Sequence, residues 1–237
     1  MSIYVSFGRA GNMAAITSTR QAEWDTFAKW LTETPPEVQD KSERGWYCPA
    51  RFDPVYRDSQ NFVARYAITY DFDHVNVDTW GDVLNAWPDM AFAMYTTYSH
   101  TIERPRFRVV VPLSRPAGYD EFQAVARRVA TDVGIDLFAG ESFVPAQMMF
   151  APARKLGGFF ASHINDGAHL DVDEVLREYD DWTDRASWPR RQDGDNVGSG
   201  AAHIDHLAKP GLIGEFNRLF TISAAIERFN LPYRRVR

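Results

Sequence analysis

The period of apolar and polar positions changes several times along the chain, and each change marks an expected element. Ser2 to Phe7 alternates as a short strand, and a glycine-containing turn follows. From Gln21 to Leu31, Trp24, Phe27, Trp30 and Leu31 recur at helical spacing, and Pro35-Pro36 ends the helix. Glu37 to Gln60 is polar and irregular, with aromatic anchors at Trp46, Tyr47, Phe52 and Tyr56. Asn61 to Asp73, NFVARYAITYDFD, is rich in β-branched and aromatic residues and reads as a central strand.

A short helix is expected over Asp78 to Trp87. Met90 to Tyr98 and Arg106 to Leu113 read as a hairpin with Ser99 to Pro105 at its tip. Tyr119 to Val133 is amphipathic, with Tyr119, Phe122, Val125, Ala126 and Val129 as the inward stripe. Gln147 to Phe150 reads as a strand and Val172 to Tyr179 as a helix. Asp180 to Gly200 is charged and aperiodic, the pattern of a linker. Lys209 to Phe229 reads as two short helices.

Composition narrows the possibilities. With no run of about 18 apolar residues, no membrane span is expected, and the N-terminus lacks the charged and apolar regions of a secretion signal. A lone cysteine, Cys48, excludes a disulfide framework or a multi-cysteine zinc site and fits a reducing cytoplasm. A net charge of −6 argues against nonspecific coating of nucleic acid. Basic residues nevertheless cluster at Arg104, Arg106 and Arg108, at Arg190 and Arg191, and at Arg234, Arg235 and Arg237.

Three groups of residues can do chemistry. Asp71 and Asp73, two apart on a strand, project from one face while Phe72 packs on the other. Two such carboxylates repel unless a cation neutralises them, and oxygen ligands suit Mg²⁺ or Mn²⁺. Ser99 and His100 lie at the hairpin tip, close to Arg106 and Arg108, which also share a face and could clamp a polyphosphate. The same arginines could instead protect an edge strand. Asp136, after Gly134, could return a carboxylate to the sheet, with Asp132 and Glu141 as local rivals. His203 and His206 could share a helix face, and Lys155 could reach a phosphate. Neither G-x-x-x-x-G-K-[ST] nor G-x-S-x-G is present.

The order of these pieces resembles the archaeo-eukaryotic primase superfamily, particularly primase-polymerase domains of phage and plasmid replication proteins. AITYDFD matches that family's strand followed by Asp-x-Asp. Tyr98-Ser99-His100 matches its histidine motif, with Tyr98 where a small residue is usual, and Ile135-Asp136 its third motif. TTYSHTIERPRFRVVVPLSRP and VPAQMMFAP resemble the surrounding strands, and KPGLIGEFNRLFTISAAIERF the helical segment that often precedes a helicase domain.

The resemblance implies an α+β fold in which an RRM-like catalytic sheet and a flanking α/β part form a cleft, followed by a small C-terminal helical appendage. It implies a catalytic domain over 1–180, a linker over 181–203 and a helical segment over 204–237. Asp71, Asp73 and Asp136 would hold two Mg²⁺ or Mn²⁺ ions roughly 3.5–4 Å apart. Ser99 and His100 would contact the triphosphate, and Arg106 and Arg108 would offset charge on the leaving group. The implied substrates are a single-stranded DNA template, a primer and nucleoside triphosphates, and the chain would be part of a larger replicase with a helicase C-terminal to it. The zinc-binding stem of many members is not expected here. Two other readings remain: a two-metal nuclease, and a noncatalytic replication-initiator domain that binds DNA.

Overall fold

Burial on both faces, rather than on one, organises the middle of this protein. The structure, a computed structural model, describes residues 2–73 and 75–192. In chain order the elements are β1 (Ser2–Gly8), β2 (Ile16–Glu23), α1 (Trp24–Thr32), β3 (Trp46–Cys48), β4 (Ala50–Phe52), β5 (Phe62–Phe72) and α2 (Thr79–Ala86). They continue with β6 (Phe92–Thr96), β7 (Phe107–Ala117), α3 (Tyr119–Ala130), β8 (Met149–Phe150), β9 (Ser162–Asn165) and α4 (Val172–Arg177). Single 3-10 turns cover Lys41–Arg44, Ile135–Leu137 and Gly140–Phe143.

The strands form two antiparallel sheets, one ordered β2-β1-β3-β8 and the other β4-β5-β7-β6-β9. The α+β class expected from the sequence is borne out. In the five-stranded sheet, Ile68, Tyr70 and Phe72 of β5 join Val109 and Val111 of β7 in a core with α2, α3 and α4. On the opposite face, Ala67, Ala93, Tyr95 and Val110 pack against α1 and the first sheet through Ile3, Val5, Phe27, Leu31, Tyr47 and Met149. A strand covered on both sides shows a continuous apolar run rather than alternation, which explains why ARYAIT reads as it does.

Several elements differ from expectation. The helix expected from Gln21 begins at Trp24, because Gln21 to Glu23 complete β2 opposite Ser2 to Tyr4. β2 is an edge strand with mostly exposed residues, so no apolar alternation announces it. Tyr119 opens α3 but is 38% exposed, its ring meeting the edge of Phe62 rather than joining the inward stripe.

Residues Asp181 to Gln192, expected as linker, pack on the domain instead. Trp188 is buried and donates through Nε1 to the Trp182 carbonyl, and Arg127 donates to the Pro189 carbonyl. Two tryptophans give this charged stretch the apolar anchors that its lack of periodicity conceals. The remainder of the expected linker, the helical segment 204–237, His203, His206 and the last arginine cluster lie outside the described residues.

Candidate active site

Asp71 lies near the end of β5, and the pairing of β5 with β7 places it opposite Arg108. Tyr95 of β6 stands on the other side of Arg108 in the same register. Side chains opposite one another in a sheet share a face, so Asp71, Arg108 and Tyr95 form a row. Asp73, just beyond the end of β5, stands beside Arg106.

Each carboxylate meets one guanidinium. Arg108 Nη2 donates to Asp71 Oδ2 at 3.0 Å, with the two side chains only 9% and 18% exposed. Arg106 Nη1 donates to Asp73 Oδ1 at 3.3 Å, with exposures of 28% and 37%. The two pairs are therefore unequal. The first is shielded from water, whereas an exposed pair of the second kind contributes about 0–1 kcal/mol and can open.

Arg108 also donates through Nη1 to the Tyr95 hydroxyl at 3.1 Å and to the Phe150 carbonyl at 3.2 Å. Burial works against its charge, but the Asp71 carboxylate and the two nearby tyrosines outweigh that and hold its pKa well above the ordinary value. Arg106 and Arg108 thus do not present the equal pair of open guanidiniums read from their spacing. Arg106 is accessible, and Arg108 is enclosed.

The remaining oxygen, Asp71 Oδ1, is buried and has no hydrogen-bond partner among the described residues. A buried carboxylate oxygen without a donor is costly unless something else satisfies it. The backbone around it is fully engaged: Asp71 N–H donates to Ser142 Oγ at 3.0 Å, and Ala139 N–H donates to the Asp71 carbonyl at 2.9 Å. Two same-face carboxylates with one free buried oxygen suit a hard divalent ion such as Mg²⁺, which uses one or two carboxylates and completes its shell with water and substrate phosphates.

The hairpin tip brings His100 next to this row. His100 N–H donates to the Thr97 carbonyl, and His100 Nδ1 accepts the Arg106 backbone N–H at 3.1 Å. Burial lowers the His100 pKa below its ordinary value. The neutral imidazole with Nδ1 occupied carries its proton on Nε2, so that atom is the donor. Ser99 is half-buried in the same turn. Asp73, Val75, Glu103, Arg104, Pro105 and Arg106 line a cavity of about 380 Å³ beside the tip. The Phe159 and His100 ring centres are 5.6 Å apart, and Lys155 Nζ stands 5.6 Å from the Tyr98 ring centre.

Asp136 does not join these acids. It is exposed, and its Oδ1 accepts the Gln192 backbone N–H at 2.7 Å. Among the described residues, no group of three or more His, Cys, Asp or Glu side chains could hold a metal ion. The loop after α3 meets β5 at Ala139 and Ser142, several residues beyond Asp136. Of the rivals, Asp132 accepts from Trp87 Nε1, and Glu141 sits in the turn that carries Ser142.

Three residues at or near the site escaped the sequence reading: Tyr47, Tyr95 and Ser142. The tyrosines sit in apolar strands where their side chains pass for core. Ser142 lies in a loop with no periodic signal.

A family model described as the VapE N-terminal domain matches residues 15–191. No curated protein matches the chain in sequence. Among solved structures, the chain is similar to the AEP domain of the primase-polymerase from cyanophage S-2L. The TM-score is 0.44 at 12% identity, over 74% of this chain and 87% of the other. Matched over most of its length by that family model, the chain belongs to the VapE N-terminal domain family.

Proposed function

We propose that this domain is a primase-polymerase that adds nucleotides to a primer 3′-hydroxyl on a single-stranded template, in phage or plasmid DNA replication. The observation that carries the reading is the free, buried Asp71 Oδ1 beside Asp73, on a face that also presents Arg106 and His100. The order of the three motifs along the chain supports the same conclusion. Among the described residues no helix is long and apolar enough to cross a membrane.

In this reading Asp71 and Asp73 hold Mg²⁺ or Mn²⁺. Divalent ions bound there supply a lowered pKa at the primer hydroxyl and neutralise charge on the triphosphate. Arg108 holds the Asp71 carboxylate, while the exposed pair of Asp73 with Arg106 would open to leave Asp73 as a ligand. Arg106 is then released to the phosphates. His100 donates from Nε2 to a phosphate oxygen, and Ser99 lies within the same turn to assist. The primer hydroxyl gives up its proton to water, its oxygen forms the bond to the α-phosphorus as the bond to pyrophosphate breaks, and Arg106 and His100 stabilise the departing charge. Asp136, held by Gln192 in this structure, would need to leave that contact to serve as a third ligand.

His100→Ala is expected to raise KM for the triphosphate by roughly 10- to 100-fold, the loss of one hydrogen bond to a charged group, with a smaller change in kcat. Steady-state extension at varied triphosphate checks this, and an unchanged KM would leave His100 only a structural part of the hairpin.

The reading as a whole is tested with a labelled primer on single-stranded template, Mn²⁺ or Mg²⁺ and all triphosphates. Longer products support it. Shortened primer or template would mean a nuclease, and DNA bound without any change in length would mean an initiator.

A further inference from the structure

The position of Asp71 is set from the other sheet. Tyr47 of β3 is fully buried, and its hydroxyl shares a 2.8 Å hydrogen bond with the hydroxyl of Tyr95. Tyr95 OH accepts from Arg108 Nη1 at 3.1 Å, and Arg108 Nη2 donates to Asp71 Oδ2 at 3.0 Å. The second acceptor on Arg108 Nη1 is the Phe150 carbonyl of β8. β8 is paired to β3, with Phe150 opposite Trp46 and Met149 opposite Tyr47. The guanidinium is therefore braced by the first sheet in two ways, through the tyrosine pair and through the β8 backbone.

Among the described residues Arg108 Nε is buried without a hydrogen-bond partner, so the hydrogen bonds of the fork are made at its two Nη ends. Burial raises the pKa of both tyrosines, and they stay neutral. Two phenol hydroxyls facing each other in an otherwise apolar interface contribute less than well-packed phenylalanines would unless they serve a partner. Here the partner is Arg108, and the effect reaches Asp71: one carboxylate oxygen is tied and the other is left free.

We propose that Tyr47 and Tyr95 are positioning residues which, through Arg108, hold the Asp71 carboxylate so that Oδ1 is presented to a divalent cation. The proposal rests on the reading of Asp71 as a metal ligand. It extends the site across both sheets and assigns Arg108 to the carboxylate rather than to the triphosphate. Without the Tyr95 hydroxyl, Arg108 keeps only the Phe150 carbonyl on that side, and the Asp71 carboxylate loses its fixed rotation. Groups that orient metal ligands in this way typically change metal affinity about 10- to 100-fold when removed.

The test is an equilibrium titration of the full chain with Mn²⁺, read by the electron paramagnetic resonance of free Mn²⁺, alongside a thermal melt. Tyr95→Phe is expected to weaken Mn²⁺ binding about 10-fold, and Tyr47→Phe, one step further from Arg108, to weaken it less. Extension by Tyr95→Phe should recover when Mn²⁺ is raised in proportion. Tyr70→Phe removes a buried hydroxyl from the opposite face of β5, where it donates to the Ala126 carbonyl at 2.7 Å, and should leave Mn²⁺ affinity unchanged. Should Tyr95→Phe fail to fold, Tyr47→Phe carries the same readout. Unchanged Mn²⁺ affinity in the folded tyrosine variants, or an equal loss in Tyr70→Phe, would overturn the proposal. Absence of Mn²⁺ binding in the wild type would remove the metal reading of Asp71, and this proposal with it.

Discussion

Asp71→Asn is expected to reduce primer extension by about 10³-fold while leaving the protein folded. Removing a ligand that organises metal-borne charge stabilisation costs several kcal/mol in the transition state, and about 4 kcal/mol corresponds to roughly 10³ in rate. The fold should tolerate the change because asparagine keeps an oxygen for Arg108, and Asp71 is anchored mainly through its backbone bonds to Ser142 and Ala139. Asp73→Asn should fall by a similar factor, since its pairing with Arg106 is exposed and contributes little to stability. Extension assays paired with thermal melts decide the matter. Extension by either variant within about tenfold of wild type would remove the metal assignment.

The largest effect on stability is expected at Arg65, outside the chemistry. Arg65 is 1% exposed on β5 and has no carboxylate partner among the described residues. Its guanidinium instead donates to the carbonyls of Ala67, Pro145 and Gln147, to Cys48 Sγ and to Thr69 Oγ1. It thereby joins β5 to β3 and to the loop that leads into β8. Arg65→Met would fill much of the volume but leave those acceptors buried without their donor. Each such orphan costs about 1–3 kcal/mol; with partial relaxation we expect a loss of about 3–5 kcal/mol. For a domain of this size that lowers Tm by on the order of 10 °C. Lysine, with no planar fork to span the same acceptors, should not restore it. A melt of Arg65→Met within about 2 °C of wild type would show that the loop supplies its own partners.

These two arginine environments show where sequence reading stops. Strand β5 with Asp71 near its end, strand β7 with Arg108 near its start and the amphipathic α3 were legible because their patterns are local. Asp71 and Asp73 follow from a two-residue period at the end of an apolar run, and the structure pairs them with Arg108 and Arg106, themselves two residues apart. The nearness of His100 to Arg106 was legible too, because a hairpin tip joins them.

What lay hidden depends on contacts between segments distant in the chain. Edge strands β2 and β9 expose much of their length and carry no apolar alternation. Tyr47 and Tyr95 are 48 residues apart and meet only because the two sheets face one another. Arg65 resembles any charged residue at a strand entrance until the 145–147 loop folds over it. Spacing placed Arg106 and Arg108 on one face but could not show that only one would be open. It also could not reveal that the chain after α3 returns to β5 at Ser142, with Asp136 turned toward Gln192.

The most direct measurement is a crystal of the protein with Mn²⁺, primer-template and a nonhydrolysable triphosphate, read by anomalous scattering. We expect a Mn²⁺ peak about 2.1 Å from Asp71 Oδ1, shared with Asp73 and a phosphate oxygen, and Arg106 turned from Asp73 to the triphosphate. Triphosphate bound with no metal at Asp71, or Mn²⁺ held elsewhere while the Asp71 and Asp73 pairs with arginine persist, would contradict the account.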